Sequence, residues 1–250
     1  MNAADTDLVA YCLRLGDDAL VLAHRLGGLL TRAPMLEEDV ALANISLDLL
    51  GQARALLGYA GTVEGAGRDE DDLAFLREPD AFAHGPLGEV PDADFAVTMV
   101  RQLAFSAWQA GLYGALLSST DPTLAAVAGK AVKEVAYHLD HASHWVIRLG
   151  DGTEESARRA TAALAVVWPT SAGLFVDDDL DRRVAAAGLG PLPSELREAW
   201  DKTTGAVLDE AQLATPRDAV PTQRGVRTDE TRALLQEMQS LHREHPDATW

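Results

Sequence analysis

The sequence predicts an all-α protein built as an up-and-down bundle of four long helices, with a long crossover and additional helices after it. Three observations carry this. Val and Ile rarely alternate with polar residues, whereas Ala, Leu, Glu and Arg recur at helical spacing nearly throughout. Four long helical segments follow one another, and a stretch rich in breakers separates the second from the third. Apolar residues make up 47% of 250 residues, enough for a substantial buried core.

The first helix is expected from about Asp7 to about Leu30, ending near Ala33-Pro34 because proline restricts the residue before it. The second runs from Leu36 to about Ala60 with Gly61 as its stop. The short connection between these two implies antiparallel packing. A Gly- and Asp-rich linker, Thr62 to Asp72, leads to a loop marked by Pro79, Gly85, Pro86, Gly88 and Pro91. The third helix spans about Phe95 to Leu117. Asp121 can cap the fourth, Pro122 suits its first position, and Gly150-Asp151-Gly152 ends it. This core, about 7–150, has the connectivity of ferritin-like folds, and the additional helices occupy about 153–250 of the same single domain. They are a fifth from Thr153 towards Trp168-Pro169, a sixth from Ser194 to about Leu213 after an acidic turn at Asp177-Asp178-Asp179, and a last from Thr228 to His245. Ala214 to Arg227 has no apolar period and is expected to be an ordered loop or a partner-facing tail.

The formal charge of −18 would repel phosphate backbones and anionic lipid, and no Lys/Arg cluster exceeds a pair, which argues against nucleic acid and membrane as partners. A single cysteine, Cys12, excludes an intramolecular disulfide framework and a cysteine zinc site, and suits a reducing compartment; the cytoplasm is the expectation. No signal peptide is expected, since acids interrupt Met1 to Gly28, and the longest apolar stretches fall short of the roughly 18 residues of a spanning helix. Neither a phosphate-cradling Gly-rich loop nor a Gly-x-Ser-x-Gly elbow is present.

Polar rows run inside the apolar helices. Leu42, Ile45, Leu47, Leu49, Leu50, Ala53, Leu56 and Leu57 cover most sides of the second helix, which is therefore expected to be buried, yet Asn44, Asp48 and Gln52 line up along it. The third carries Gln102, Ser106, Gln109 and Tyr113 on one narrow row, and the fourth carries Lys130, Glu134, His138 and His141. Arg14 and Asp18 in the first are placed to pair. Facing rows of this kind are where a bundle builds a cofactor site, and equally where lost ligands leave a hydrogen-bonded network. The solvated face of an amphipathic helix is the alternative for the third and fourth.

A carboxylate-bridged di-iron site needs one carboxylate from each of two helices and a Glu-x-x-His pair from each of two others. No Asp or Glu precedes a His by three residues anywhere in this chain. The nearest approach is Glu134 with His138, four apart. His138 and His141 share a face while His144 points about 120° away, so at most two imidazoles converge with Glu134.

Five strings lie in order along the chain: Leu15 to Leu26, Ala43 to Arg54, Asp72 to Arg77, Lys130 to His138, and Leu234 to Leu241 followed by Trp250. Together they resemble the PaaC-type structural subunits of bacterial phenylacetyl-CoA epoxidases, over almost the whole length. Arg227 departs from the resemblance, which leads one to expect His before Thr228. The resemblance implies a ferritin-like, non-catalytic subunit with no cofactor of its own. Its partner would be a homologous PaaA-type catalytic subunit with a di-iron centre, fed by a reductase subunit using FAD, iron–sulfur and NADPH. On this reading Asp18, Asn44, Asp48, Gln52, Gln102, Ser106, Gln109, Lys130, Glu134 and His138 form a buried polar network at a vestigial site. An oxygen-activating enzyme with an atypical site of Asp18, Asp48, Glu134 and His138, and a ligand-binding bundle with neither partner nor metal, are the alternatives.

Overall fold

The computed structural model describes residues 2–216, 224–246 and 248, so the middle of the expected loop before Arg227, and the terminal Trp250, lie outside the described residues. All regular elements among the described residues are helical, in keeping with the ferritin-like helical class. They are α1 (Ala3–Gly27), α2 (Leu36–Glu64), α3 (Phe95–Leu116), α4 (Pro122–Gly150), α5 (Glu154–Ser171), α6 (Asp179–Ala186), α7 (Arg197–Glu210) and α8 (Asp229–Glu244), with single helical turns between some of them. The chain divides into two compact units, one of 1–32, 36–89 and 224–250, the other of 33–35 and 90–223.

In the first unit α1 starts earlier than its apolar period suggests, because Asn2 and Asp5 cap it reciprocally: the Asn2 side chain accepts the Asp5 N–H at 2.9 Å. α1 and α2 run antiparallel. Gly16 of α1 lies against Leu57 of α2, and farther along the Ser46 hydroxyl donates to the Ala23 carbonyl at 2.8 Å. A Cβ on Gly16 would stand 2.9 Å from the Leu57 side chain, so glycine permits this close approach. α2 does not stop at Gly61 as expected but continues to Glu64. Gly61 serves the returning chain instead, since a Cβ there would lie 2.1 Å from the Arg68 carbonyl oxygen. α8, capped by Thr228, packs on the 72–89 loop, where the Gln239 amide donates to the Ala74 and Arg77 carbonyls at 3.1 and 2.8 Å.

The second unit is organised around α3, buried on all sides from Ala96 to Gln109 and packed by α4, α5 and α7. Asp94 caps α3, Asp121 caps α4 with Pro122 at its first position, and α4 ends at Gly150 as expected. Trp200 of α7 donates its indole N–H to the Ala104 carbonyl at 2.7 Å and packs against Trp168 and Phe175. Two boundaries differ from expectation. α5 runs through Pro169 to Ser171, because a proline in the last turn forfeits one hydrogen bond without ending the helix. The acidic turn is a helix start: the Asp178 carboxylate accepts the Asp181 N–H at 3.0 Å and opens α6.

Candidate functional site

The ten residues of the expected polar network do not share one environment. Asp18, Gln52, Gln102, Ser106, Gln109 and His138 are buried, Asp48 and Glu134 are half-buried, and Asn44 and Lys130 are exposed. Lys130 therefore does not belong to a buried network. Its side chain is 75% exposed and meets Glu134 across one helical turn at 3.5 Å. The expectation that α2, apolar on most sides, is a buried helix is also corrected. Leu42, Ile45, Leu49, Leu56 and Leu57 are buried, whereas Leu36, Val40, Leu47 and Leu50 remain 74%, 54%, 63% and 46% exposed. Composition alone places an apolar residue in a protein without saying which of two apolar faces the chain itself covers.

On α3 the row lies fully inside. The alternative of a solvated face does not apply there, because the whole circumference is buried. Gln102 Oε1 and Nε2 and Ser106 Oγ have no hydrogen-bond partner among the described residues. Their desolvation is then uncompensated, so Ser106→Ala is expected to raise stability by about 1 kcal/mol. A fall of that size in urea denaturation would show instead that the hydroxyl is bonded in solution. On α4 His138 is fully buried, half-buried His141 stacks on Tyr137 with ring centroids 6.1 Å apart, and His144 faces solvent beside Asp140. No group of three His, Cys, Asp or Glu that could hold a metal ion occurs among the described residues, and the ligand set does not fit a di-iron centre.

The densest polar chemistry lies in the first unit. Asp17 and Asp18, adjacent on an otherwise apolar turn of α1, are 0% and 5% exposed. Arg77 grips Asp17 with both terminal nitrogens, Nη1 to Oδ2 at 3.0 Å, and the Ala83 N–H donates to the same carboxylate at 2.7 Å. Asp18 accepts from the Gly85 N–H and from Arg224 Nη1 at 3.1 Å; these partners were missed by a reading confined to Arg14 one turn away. Arg25 donates through Nε to the Gly88 carbonyl at 2.8 Å, and reaches Thr231 at 3.1 Å and Glu230 at 3.4 Å. Arg227, expected in a loop or partner-facing tail, is buried: it pairs with Glu89 at 3.3 Å and donates to the Phe82 carbonyl. Glu89 also accepts from the Thr228 N–H at 2.8 Å and from its hydroxyl at 3.0 Å. Four guanidinium groups thus face four carboxylates, Asp17, Asp18, Glu89 and Glu230.

His84 sits within this balanced cluster, its Nε2 2.7 Å from Glu89 and its Nδ1 without a hydrogen-bond partner among the described residues. Burial pushes the imidazole below its ordinary value, against the pull of Glu89, and nearby Arg227 adds to the effect. A neutral ring donating through Nε2 leaves only a bare acceptor at Nδ1, whereas a cation would bury an unbonded donor. Burial works to raise the Glu89 carboxyl, but hydrogen bonds from His84 and Thr228 hold it down at about 2. Both folded-state values lie below the unfolded ones, so the unfolded chain binds more protons as pH falls. Stability is expected to be full above pH 6.5, to decline below it as unfolded chains protonate His84, and to fall more steeply between pH 4.5 and about 2 through Glu89. Urea midpoints taken from pH 7.5 to 3.5 check this; a flat profile for the wild type, or an unchanged slope in His84→Gln between pH 6.5 and 5, would contradict it.

The whole chain, residues 1–250, matches the family model described as phenylacetic acid catabolic protein. It is 44% identical over 246 residues to one of the subunits of the 1,2-phenylacetyl-CoA epoxidase of Escherichia coli (strain K12), covering 97% of this chain and 99% of that protein.

Proposed function

Because the chain belongs to the family of phenylacetic acid catabolic proteins, we propose that it is the non-catalytic, organising subunit of a multicomponent oxygenase that epoxidises the ring of phenylacetyl-CoA. It pairs with a homologous catalytic subunit that carries the di-iron centre, and a reductase subunit with flavin and iron–sulfur groups supplies electrons from NADPH. The complex works in the cytoplasm, in the aerobic breakdown of phenylacetate. The observation that carries this reading is the fate of the polar rows. Within the second unit, α3 offers only amides and a hydroxyl on its buried row, and the one Glu/His pair on α4 has the wrong spacing, with Glu134 beside Lys130.

A metal site of Asp18, Asp48, Glu134 and His138 is disfavoured by Asp18 itself. Its carboxylate is already satisfied by a backbone N–H and a guanidinium within the first unit, and a metal would have to displace both. The test is twofold. The chain expressed alone in iron-replete cells is expected to carry near-zero iron, and phenylacetyl-CoA turnover by the catalytic and reductase subunits is expected to depend on adding it. Two irons per chain, or turnover by this chain with a reductase alone, would defeat the proposal.

A further inference from the structure

α8 is fastened to the rest of the first unit mainly by polar groups. Leu235 is its one fully buried apolar side chain, beside the buried polar Thr231 and Gln239. At its far end Gln239 and Arg243, one helical turn apart, cap the Asp72–Leu76 turn from outside. The Gln239 amide bonds the Ala74 and Arg77 carbonyls, while Arg243 donates from Nε to the Phe75 carbonyl at 3.0 Å and from Nη2 to that of Arg77 at 2.9 Å. At its near end Arg232 pairs with Asp80 at 3.0 Å, and Arg227 and Thr228 close on Glu89. Each of these bonds is exchanged for one to water when the helix leaves, so together they hold it with less energy than a broad apolar seat would. Elements held in this way open locally, at a lower cost than global unfolding.

His84 lies at the near end of this strap. Its ring packs on the Gly88 backbone, where a Cβ would come within 2.5 Å of the imidazole Cδ2. The charged groups around it are Glu89 on its own segment, Asp18 and Arg25 on α1, and Arg227 and Arg224 ahead of α8, with Arg25 bonded to the Gly88 carbonyl and Arg224 to Asp18. Imidazole and guanidinium share one oxygen of Glu89: His84 Nε2 lies 2.7 Å and Arg227 Nη1 3.3 Å from Oε1. With the strap closed, the ring is cut off from water and stands beside a cation, and both conditions favour its neutral form. Opening removes Arg227, admits water and leaves Glu89 in place, so the imidazolium becomes the favoured form. A proton on His84 therefore binds the open form more tightly than the closed one, and by linkage it drives opening.

We infer that residues 224–244 form a proton-released strap, latched at the His84, Glu89 and Arg227 cluster, which leaves and returns while α1 and α2 stay folded. This concerns the chain itself and does not depend on the function proposed above. Hydrogen exchange of the full chain, read by mass spectrometry and corrected for the intrinsic effect of pH, tests it. The α8 amides are expected to share one open fraction, at least 100-fold above that of α1. That fraction is expected to rise about fivefold from pH 6.5 to 5.5, the share of a single imidazole that titrates near 6.5 once the strap is open. His84→Gln is expected to abolish the rise. Arg227→Gln leaves His84 in place but takes away the neighbouring cation, and is expected to shrink the rise; it serves as the second variant if His84→Gln does not fold.

Each part can fail separately. Equal open fractions for α8 and α1 would mean that the helix leaves only when the whole unit unfolds, and the strap is overturned. A wild-type open fraction that stays flat across this pH range overturns the latch, whatever the variants do. A rise that persists undiminished in the variants would place the proton elsewhere and also overturn it.

Discussion

Arg77→Ala is expected to destabilise the protein by about 3–5 kcal/mol, because it strips the fully buried Asp17 carboxylate of its direct ion-pair partner and leaves it the Ala83 N–H. The loss extends past the ion pair. The Arg77 guanidinium also lies over the Phe82 ring at 4.3 Å and donates to the Leu73 carbonyl, so truncation removes the side chain that folds the 73–82 loop onto itself. Arg77→Leu combined with Asp17→Leu removes both charges and is expected to recover much of the loss, since an apolar pair avoids the unpaired ion. Urea denaturation of the two single variants and the double one completes the cycle. A single-variant loss below about 1 kcal/mol would mean that water reaches Asp17.

Trp200→Ala is the second large effect, expected at about 3–5 kcal/mol from the cavity left by the indole. Trp200 is 2% exposed, its ring centroid lies 4.9 Å from that of Trp168 and 5.3 Å from that of Phe175, and its N–H satisfies the Ala104 carbonyl. Trp200→Phe keeps most of the volume but drops the hydrogen bond, so its cost should be clearly smaller. Equal losses for the two variants in thermal denaturation would place the weight on the hydrogen bond instead of on packing.

The regular part of this molecule was legible because helix periodicity and end signals are local. Asp121, Pro122 and Gly150 fix α4 without reference to anything else, and the missing Glu-x-x-His spacing follows from helix geometry alone. What escaped depends on segments far apart in sequence. Asp17-Asp18 within an apolar run was a visible signal that something must neutralise them. Their partners stand 60 to 206 residues away, and nothing at Arg77, Arg224 or Arg227 singles those residues out from other arginines. The exposed apolar face of α2 was hidden for another reason. A helix apolar all round looks buried, and only the antiparallel pairing with α1 shows that one face is used internally and the other left outward. α6 was missed because three successive aspartates read as a turn, when one of them is a cap.

The buried charge cluster has a consequence for the order in which the chain is completed during synthesis. Asp18, Arg25 and Glu89 leave the ribosome early, but Arg224, Thr231 and Arg227, which bond to them in that order, are translated last. At about 5–20 residues per second, the nascent N-terminal helices wait on the order of 10–40 s with uncompensated charges that favour water over apolar packing. The second unit, contiguous from 90 to 223 apart from three residues, can finish first. Ribosome-arrested chains that end before Arg224 and are extended by a tunnel-length linker should therefore show protease-resistant segments within 90–216 and readily cleaved α1 and α2. Resistance of α1 in such chains would show that the closing arginines are dispensable.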